Sequence, residues 1–198
     1  MLKSCYSQGI IEAGCDEAGR GCLAGPVYAA AVILPPDYQN IKINDSKKLS
    51  VAARKSLRAE IEKDAIAWCV ATADHTEIDR INILNASILA MHRAVDGLKI
   101  LPGLLLVDGN RFKPYNGIEH ICIIRGDAAY LSIAAASILA KTYRDDFMEE
   151  LSIQYPQYGW IRNKGYPTAE HRKILLQLGH SPFHRRSFVL KEQLHLGF

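Results

Sequence analysis

No apolar run in this chain reaches the roughly 20 residues that a membrane-spanning helix needs, and residues 1–9 hold no apolar signal-peptide core. There is no C-x-x-C pair either. The five cysteines, Cys5, Cys15, Cys22, Cys69 and Cys122, are odd in number and scattered, which excludes a simple disulfide framework and reads as reduced thiols in a cytoplasmic protein. Internal repeats, low-complexity tracts and linkers are missing as well, so a single large domain of 198 residues, or one domain with an appendage, is expected. The net charge is small, +3, but unevenly spread. Between Trp160 and Lys191 seven cations (Arg162, Lys164, Arg172, Lys173, Arg185, Arg186, Lys191) stand against one acid, Glu170, leaving −3 for the rest of the chain. Tyr166, Phe183 and Phe188 are interleaved with those cations. Such a segment attracts a nucleic-acid backbone, and equally describes a solvated surface.

The chain is organised around Cys15-Asp16-Glu17-Ala18-Gly19-Arg20-Gly21. Ile10 and Ile11 precede it as strand formers, and the apolar run Val27 to Leu34 comes after it, so two buried strands are expected to meet near this turn. Two carboxylates at the tip of a buried strand suffer desolvation and mutual repulsion, which a bound cation relieves. Neighbours on a regular strand point to opposite faces, so Asp16 and Glu17 share one site only if the strand breaks there, and Ala18-Gly19 supplies a place for the break. Gly19 and Gly21 leave the backbone beside Arg20 bare enough for a ligand to approach.

Further along, Pro35-Pro36 ends the second strand, and a loop carrying Asp45-Ser46-Lys47-Lys48-Leu49 leads to Ser50, an expected N-cap. Ala53, Leu57 and Ile61 share one helical face. Residues 66–73 read as a strand. Thr76 is the expected cap of a helix that Gly97 stops, with His92 on its apolar face as a core histidine. Leu104-Leu105-Leu106-Val107 ends in Asp108-Gly109, which fits both a buried parallel strand delivering a carboxylate to the ligand edge of a sheet and a plain Asp-Gly turn. A strand at 121–124 leads to Asp127, a third acid-bearing strand end. From Leu131 a long alanine-rich helix is expected to reach Gln154. Thr168 is the expected cap of a helix ending near Gly179, and a last short helix is expected from Ser187. His180 and His184 have a metal-like spacing, but Pro182 between them argues against a zinc site.

Asp16, Glu17, Asp108 and Asp127 together supply the hard oxygen ligands that Mg²⁺ or Mn²⁺ prefers. Two such ions about 4 Å apart clamp both oxygens of an in-line phosphoryl displacement.

At this point the chain resembles the bacterial ribonuclease HII family, the type 2 ribonucleases H. The likeness rests on residues 16–21 with Gly25-Pro26, on residues 45–49, on Val107-Asp108-Gly109 and on Gly126-Asp127. Residues 135–141, 164–168 and 184–188 complete it. Sister type 3 enzymes carry Ser and Lys in place of Ala18 and Arg20. Residues 142–143, Thr-Tyr here, depart from the usual Val-Thr. The resemblance implies a ribonuclease H-like α/β fold, with a mixed five-stranded sheet flanked by helices over 1–154 and a helical C-terminal extension over 155–198. It implies a metal-dependent endonuclease that cuts RNA in RNA–DNA hybrids and single ribonucleotides embedded in duplex DNA, leaving 5′-phosphate and 3′-hydroxyl ends. Asp16, Glu17, Asp108 and Asp127 would be catalytic and hold Mn²⁺ or Mg²⁺. Gly19, Arg20 and Gly21 would meet the 2′-hydroxyl, and Tyr166 would lie against the sugar at the junction. Lys47 and Lys48 would contact phosphate, although Lys48 also reads as a solvated lysine. Ser137 and Lys141 read as structural.

The final residues Gln193, Leu194, Leu196 and Phe198 resemble a linear motif that docks on DNA sliding clamps, and also fit a terminal helix packed on the body. A monomer is expected, with no membrane partner. A non-catalytic hybrid-binding module would lack one of the four acids. A small-substrate phosphatase would not need the basic tail.

Overall fold

In the computed structural model, which describes residues 2–43 and 49–190, five strands form one mixed sheet. They are β1 (Glu12–Ala18), β2 (Val27–Ile33), β3 (Ala67–Ala73), β4 (Leu104–Asp108) and β5 (Glu119–Ile123), in the order β3-β2-β1-β4-β5. The β1–β2 and β2–β3 pairs are antiparallel, whereas β1–β4 and β4–β5 are parallel. Leu105, Leu106 and Val107 are fully buried. Burying each such side chain contributes about 1.5–3 kcal/mol, so the run fixes where β4 lies and Asp108 falls at its carboxyl end.

Three long helices cover the sheet. Helix α1 (Val51–Asp64) starts at Ser50, whose side chain accepts the Ala53 N–H as expected. With α3 (Leu131–Gln154) it packs on the face presenting Ala30 and Val32. Helix α2 (His75–Asp96) covers the opposite face, against Ala29 and Ala31. The approach of α3 to β1 is close enough to require Gly14. A Cβ there would lie 2.2 Å from the Ser132 carbonyl carbon. Ala134, Ala135, Ala136 and Ala140 are fully buried along the same helix, and small side chains are what permit that distance.

Three expectations need correction. Helix α2 is capped by Asp74, not Thr76, because Asp74 accepts the Thr76 and Glu77 N–H groups while the Glu77 carboxylate returns to the Asp74 N–H. Nor is α2 continuous: Asn82 (φ 63°, ψ 165°) breaks it, and its side chain accepts the Asn85 N–H at 3.1 Å, starting the helix again. Third, residues 187–190 form no helix, and residues 191–198 lie outside the described residues. His92 is half-buried, stacked on Tyr115 at 4.1 Å between ring centroids, with Nε2 3.1 Å from the Lys113 carbonyl oxygen.

After α3 come a 3₁₀ turn (Pro156–Tyr158), α4 (Trp160–Asn163) and α5 (Ala169–Leu178), the last with the expected Thr168 cap and Gly179 terminus. Tyr158 and Trp160 pack on Met148, Leu151 and Ala24, so this segment folds back onto the end of α3 and onto the loop after β1.

Candidate active site

The carboxyl ends of β1 and β4 lie side by side, because the parallel pairing runs from Glu12–Leu104 to Cys15–Val107. One residue further, Asp16, Glu17 and Asp108 line a single pocket of about 450 Å³ together with Ala18, Gly19, Arg20, Gly21, Ser137, Lys141 and Tyr166. The expected strand break between the two acids is not there: β1 stays paired with β2 through Asp16, Glu17 and Ala18. The carboxylates reach one pocket by another route. β1 outruns its pairing with β4, and the Asp16 carboxylate folds over its own strand tip to accept the Glu17 N–H at 2.7 Å.

The electrostatics of the three acids are strained. Burial, then the charges of Glu17 and Asp108, push the Asp16 carboxyl well above its usual range, with the Ser137 hydroxyl bond opposing. Burial also raises Glu17, offset by Arg20, whose guanidinium stands 3.1 Å from it. Asp108 accepts the Gly126 N–H at 2.6 Å. That bond ties the 3₁₀ turn Gly126–Ala128 to the tip of β4, and with it Asp127, which is buried but is not among the residues lining the pocket. Among the described residues no three acidic, histidine or cysteine side chains already surround one point as a ready cage for an ion. Glu17 is turned to Arg20 at 3.1 Å. Hard oxygen donors crowded until one is driven towards protonation nonetheless fit a divalent cation.

Ser137 and Lys141, read from sequence as structural, both line the pocket, and Lys141 lies 3.4 Å from Asp145. Neither was legible as a site residue, since an α3 surface facing the sheet edge has the same pattern as one facing the core. Two arginines hold the loop: Arg144, which no sequence signal marked, and Arg185, which read only as a cation of the basic tail and part of the matched stretch 184–188. Arg144 is 1% exposed and donates to the carbonyls of Pro26 (3.1 Å), Ala24 (3.1 Å) and Lys164 (2.9 Å). Its shaft fills the space a side chain at Gly19 would need, for a Cβ there would lie 2.1 Å from Nε, and Gly19 has φ +95°. Arg185, also 1% exposed, donates to the carbonyls of Gly25 and Arg20, both at 2.9 Å. Gly21, by contrast, has open space where a side chain would stand. The basic tail is therefore only partly a surface: Arg185 serves backbone, and Lys164 bonds Glu149 at 2.9 Å. The loop is further stitched by Leu23 N–H to Gly165, Gly25 N–H to Phe183 and Arg185 N–H to Leu23.

Tyr166 is 39% exposed at the pocket wall. Burial of its hydroxyl raises its pKa, as does the Cys22 thiol to which it is hydrogen-bonded. Lys47, Lys48, Gln193, Leu194, Leu196 and Phe198 lie outside the described residues.

A mixed sheet of this order, with carboxylates at adjacent strand tips beside a glycine-flanked arginine, defines a ribonuclease H-like hydrolase. Solved structures agree. Over 93% of this chain and 97% of its own, the ribonuclease H2 of Pyrococcus horikoshii OT3 superposes with TM-score 0.75 at 26% identity. The Archaeoglobus fulgidus ribonuclease HII, solved in complex with PCNA, gives 0.77 at 25% identity over 92% and 96%. A family model described as Ribonuclease HII matches residues 13–191. The Ribonuclease HII of Parabacteroides distasonis is 60% identical over 199 residues, covering the whole of both chains. The chain belongs to the ribonuclease HII family, and so is a metal-dependent endoribonuclease of the ribonuclease H type acting on RNA–DNA hybrids.

Proposed function

We propose that this pocket incises at single ribonucleotides embedded in duplex DNA as well as within hybrid RNA, by two-metal-ion phosphodiester hydrolysis that leaves 5′-phosphate and 3′-hydroxyl ends. The observation that carries this is the gathering of Asp16, Glu17 and Asp108 with the Gly19–Gly21 loop and Tyr166 around one pocket. Asp16, Glu17 and Asp108 would hold the ions, with Asp127 as the fourth acid. Bound there, Mn²⁺ or Mg²⁺ supplies Lewis-acid stabilisation of charge on the phosphate oxygens.

The chain's own residues do the rest. The Ser137 hydroxyl bond favours the ionised form of Asp16. Held by Arg144 and Arg185, the loop keeps the backbone of Gly19, Arg20 and Gly21 open to a 2′-hydroxyl, the group that separates RNA from DNA. Tyr166 offers a ring face to the sugar. Lys47 and Lys48 neutralise phosphate charge without reading bases.

The test is cleavage of a duplex containing one ribonucleotide, with Mn²⁺, with Mg²⁺ and with chelator. Cutting at the ribonucleotide only when metal is present is expected. Cutting of an all-RNA strand alone would sink the single-ribonucleotide reading. We place the reaction in the cytoplasm of the cell, carried out by a monomer. Residues 193–198 form a separate proposal, a clamp contact resting on sequence alone. Their deletion should abolish sliding-clamp binding and spare cleavage.

A further inference from the structure

Beneath Tyr166 lies a buried polar cluster to which the chemistry gives no task. His171, His184, Trp160 and Ser181 are 0%, 1%, 0% and 4% exposed. The rings of His171 and His184 touch through their Nε2 atoms at 3.1 Å. Their outer partners decide which nitrogen carries each proton. Tyr166 presents a carbonyl oxygen, an acceptor, 3.0 Å from His171 Nδ1, so that nitrogen holds the hydrogen. Trp160 Nε1–H donates to His171 Nε2 at 3.1 Å, so that nitrogen is the lone pair. At the other end the Ser181 N–H donates to His184 Nδ1 at 2.9 Å. His184 must then carry its hydrogen on Nε2, aimed at the His171 lone pair.

Trp160 Nε1–H and His184 Nε2–H then share the single lone pair of His171 Nε2, each at 3.1 Å. The N–H bonds point one way, from Ser181 through His184 and His171 to the Tyr166 carbonyl. A further proton on His171 would set its Nε2–H against two donors, and one on His184 Nδ1 would face the Ser181 N–H, with the Ser181 hydroxyl oxygen 2.8 Å away as its one acceptor. Burial keeps both imidazoles neutral, and for His184 the neighbouring rings of His171, His180 and His75 add to it.

Tyr166 is thus gripped at two ends. Its carbonyl takes His171 Nδ1–H and the Thr168 N–H at 2.8 Å, while its hydroxyl meets Cys22. The ring also faces the Arg144 guanidinium, 5.7 Å from its centroid, and the Tyr166 N–H donates to the Asn163 carbonyl at 2.8 Å, so the hold that His171 adds is the one on the carbonyl. We propose that His171 and His184 are positioning residues: a neutral relay, fixed in tautomer, that sets the Tyr166 ring against the substrate sugar. The inference rests on the proposed role of Tyr166 as a sugar contact.

The test combines kinetics with imidazole spectroscopy on the full chain. His171→Leu removes the donor, whereas His171→Asn keeps an N–H near the Nδ1 position. His171→Leu is expected to lower kcat/KM at a single ribonucleotide roughly ten- to a hundredfold, the scale of a small misplacement. A stretch of several ribonucleotides should lose much less. His171→Asn should restore most of the loss, and adding Tyr166→Ala to His171→Leu should cost nothing more. Equal losses on both substrates, no rescue by Asn, or losses that multiply in the double variant would overturn the relay. If Tyr166→Ala alone has no effect, the site reading fails and the relay with it. If Tyr166→Ala is defective and His171→Leu is not, the relay fails alone. Should His171→Leu not fold, long-range ¹H–¹⁵N spectra of the unaltered protein at pH 7 still decide: hydrogen on His171 Nδ1 and His184 Nε2 is required, and any other pair of tautomers refutes the proposal.

Discussion

Asp16 is the residue under most strain, since it is 6% exposed and shares its pocket with two other acids. Without metal that arrangement subtracts from stability. Asp16→Asn removes one charge and nearly preserves shape, so it should abolish cleavage while leaving hybrid binding intact. With chelator present, chemical denaturation should find the variant more stable by about 1 kcal/mol, the scale of a relieved functional strain. Loss of binding in step with turnover would contradict a catalytic role. For Asp108 the apolar run alone left a strand-end carboxylate and a plain Asp-Gly turn equally open, and it was the resemblance that singled the residue out. The reach of Asp16 over its strand tip was not legible, for it depends on β1 outrunning β4. The roles of Arg144 and Arg185 were illegible for a related reason: their partners are carbonyls, which every residue has, so no side-chain pattern marks them.

At the level of elements, α3 does most to place the site. Its bounds could be read from Leu131 and from Pro156 beyond Gln154, but its distance from β1 could not. That distance depends on Gly14, which sequence alone treats as a weak strand residue. Gly14→Ala should destabilise the protein by about 3 kcal/mol, the upper range for overpacking against backbone that cannot yield. Urea unfolding measures this, and a change under about 1 kcal/mol, the low end of that range, would mean that α3 rides further out than described. The break in α2 escaped notice because Ile78, Ile81 and Ile88 keep helical spacing across it, and a single Asn at positive φ leaves no trace in apolar periodicity.

Over the whole molecule, acid should act through the histidine pair. Burial lowers His184 to about 3 and also lowers His171, against about 6.5 in an unfolded chain. The unfolded chain therefore binds more protons between those values. The stabilisation is complete above about pH 6.5 and is lost as pH falls towards about 3. Each imidazole removes up to about 1.4 kcal/mol per pH unit within that window. The raised carboxyl of Asp16 works in the opposite direction, so the comparison is between the parent and His184→Gln, in which the acids cancel. Between pH 6 and 4 the parent should lose stability more steeply, and parallel curves would place His184 in contact with water.

The loop after β1 is held by partners that arrive much later in the chain: the Arg144 and Arg185 guanidiniums and the Phe183 carbonyl. A growing polypeptide emerges from the ribosome amino end first, so Asp16 and Glu17 are synthesised long before the residues that lock the loop beside them. Nuclease activity is then among the last properties the newborn protein acquires. A copy cut short before residue 185 carries Asp16, Glu17, Asp108 and Asp127 and is expected to be inert, a built-in delay for an enzyme whose job is to cut nucleic acid.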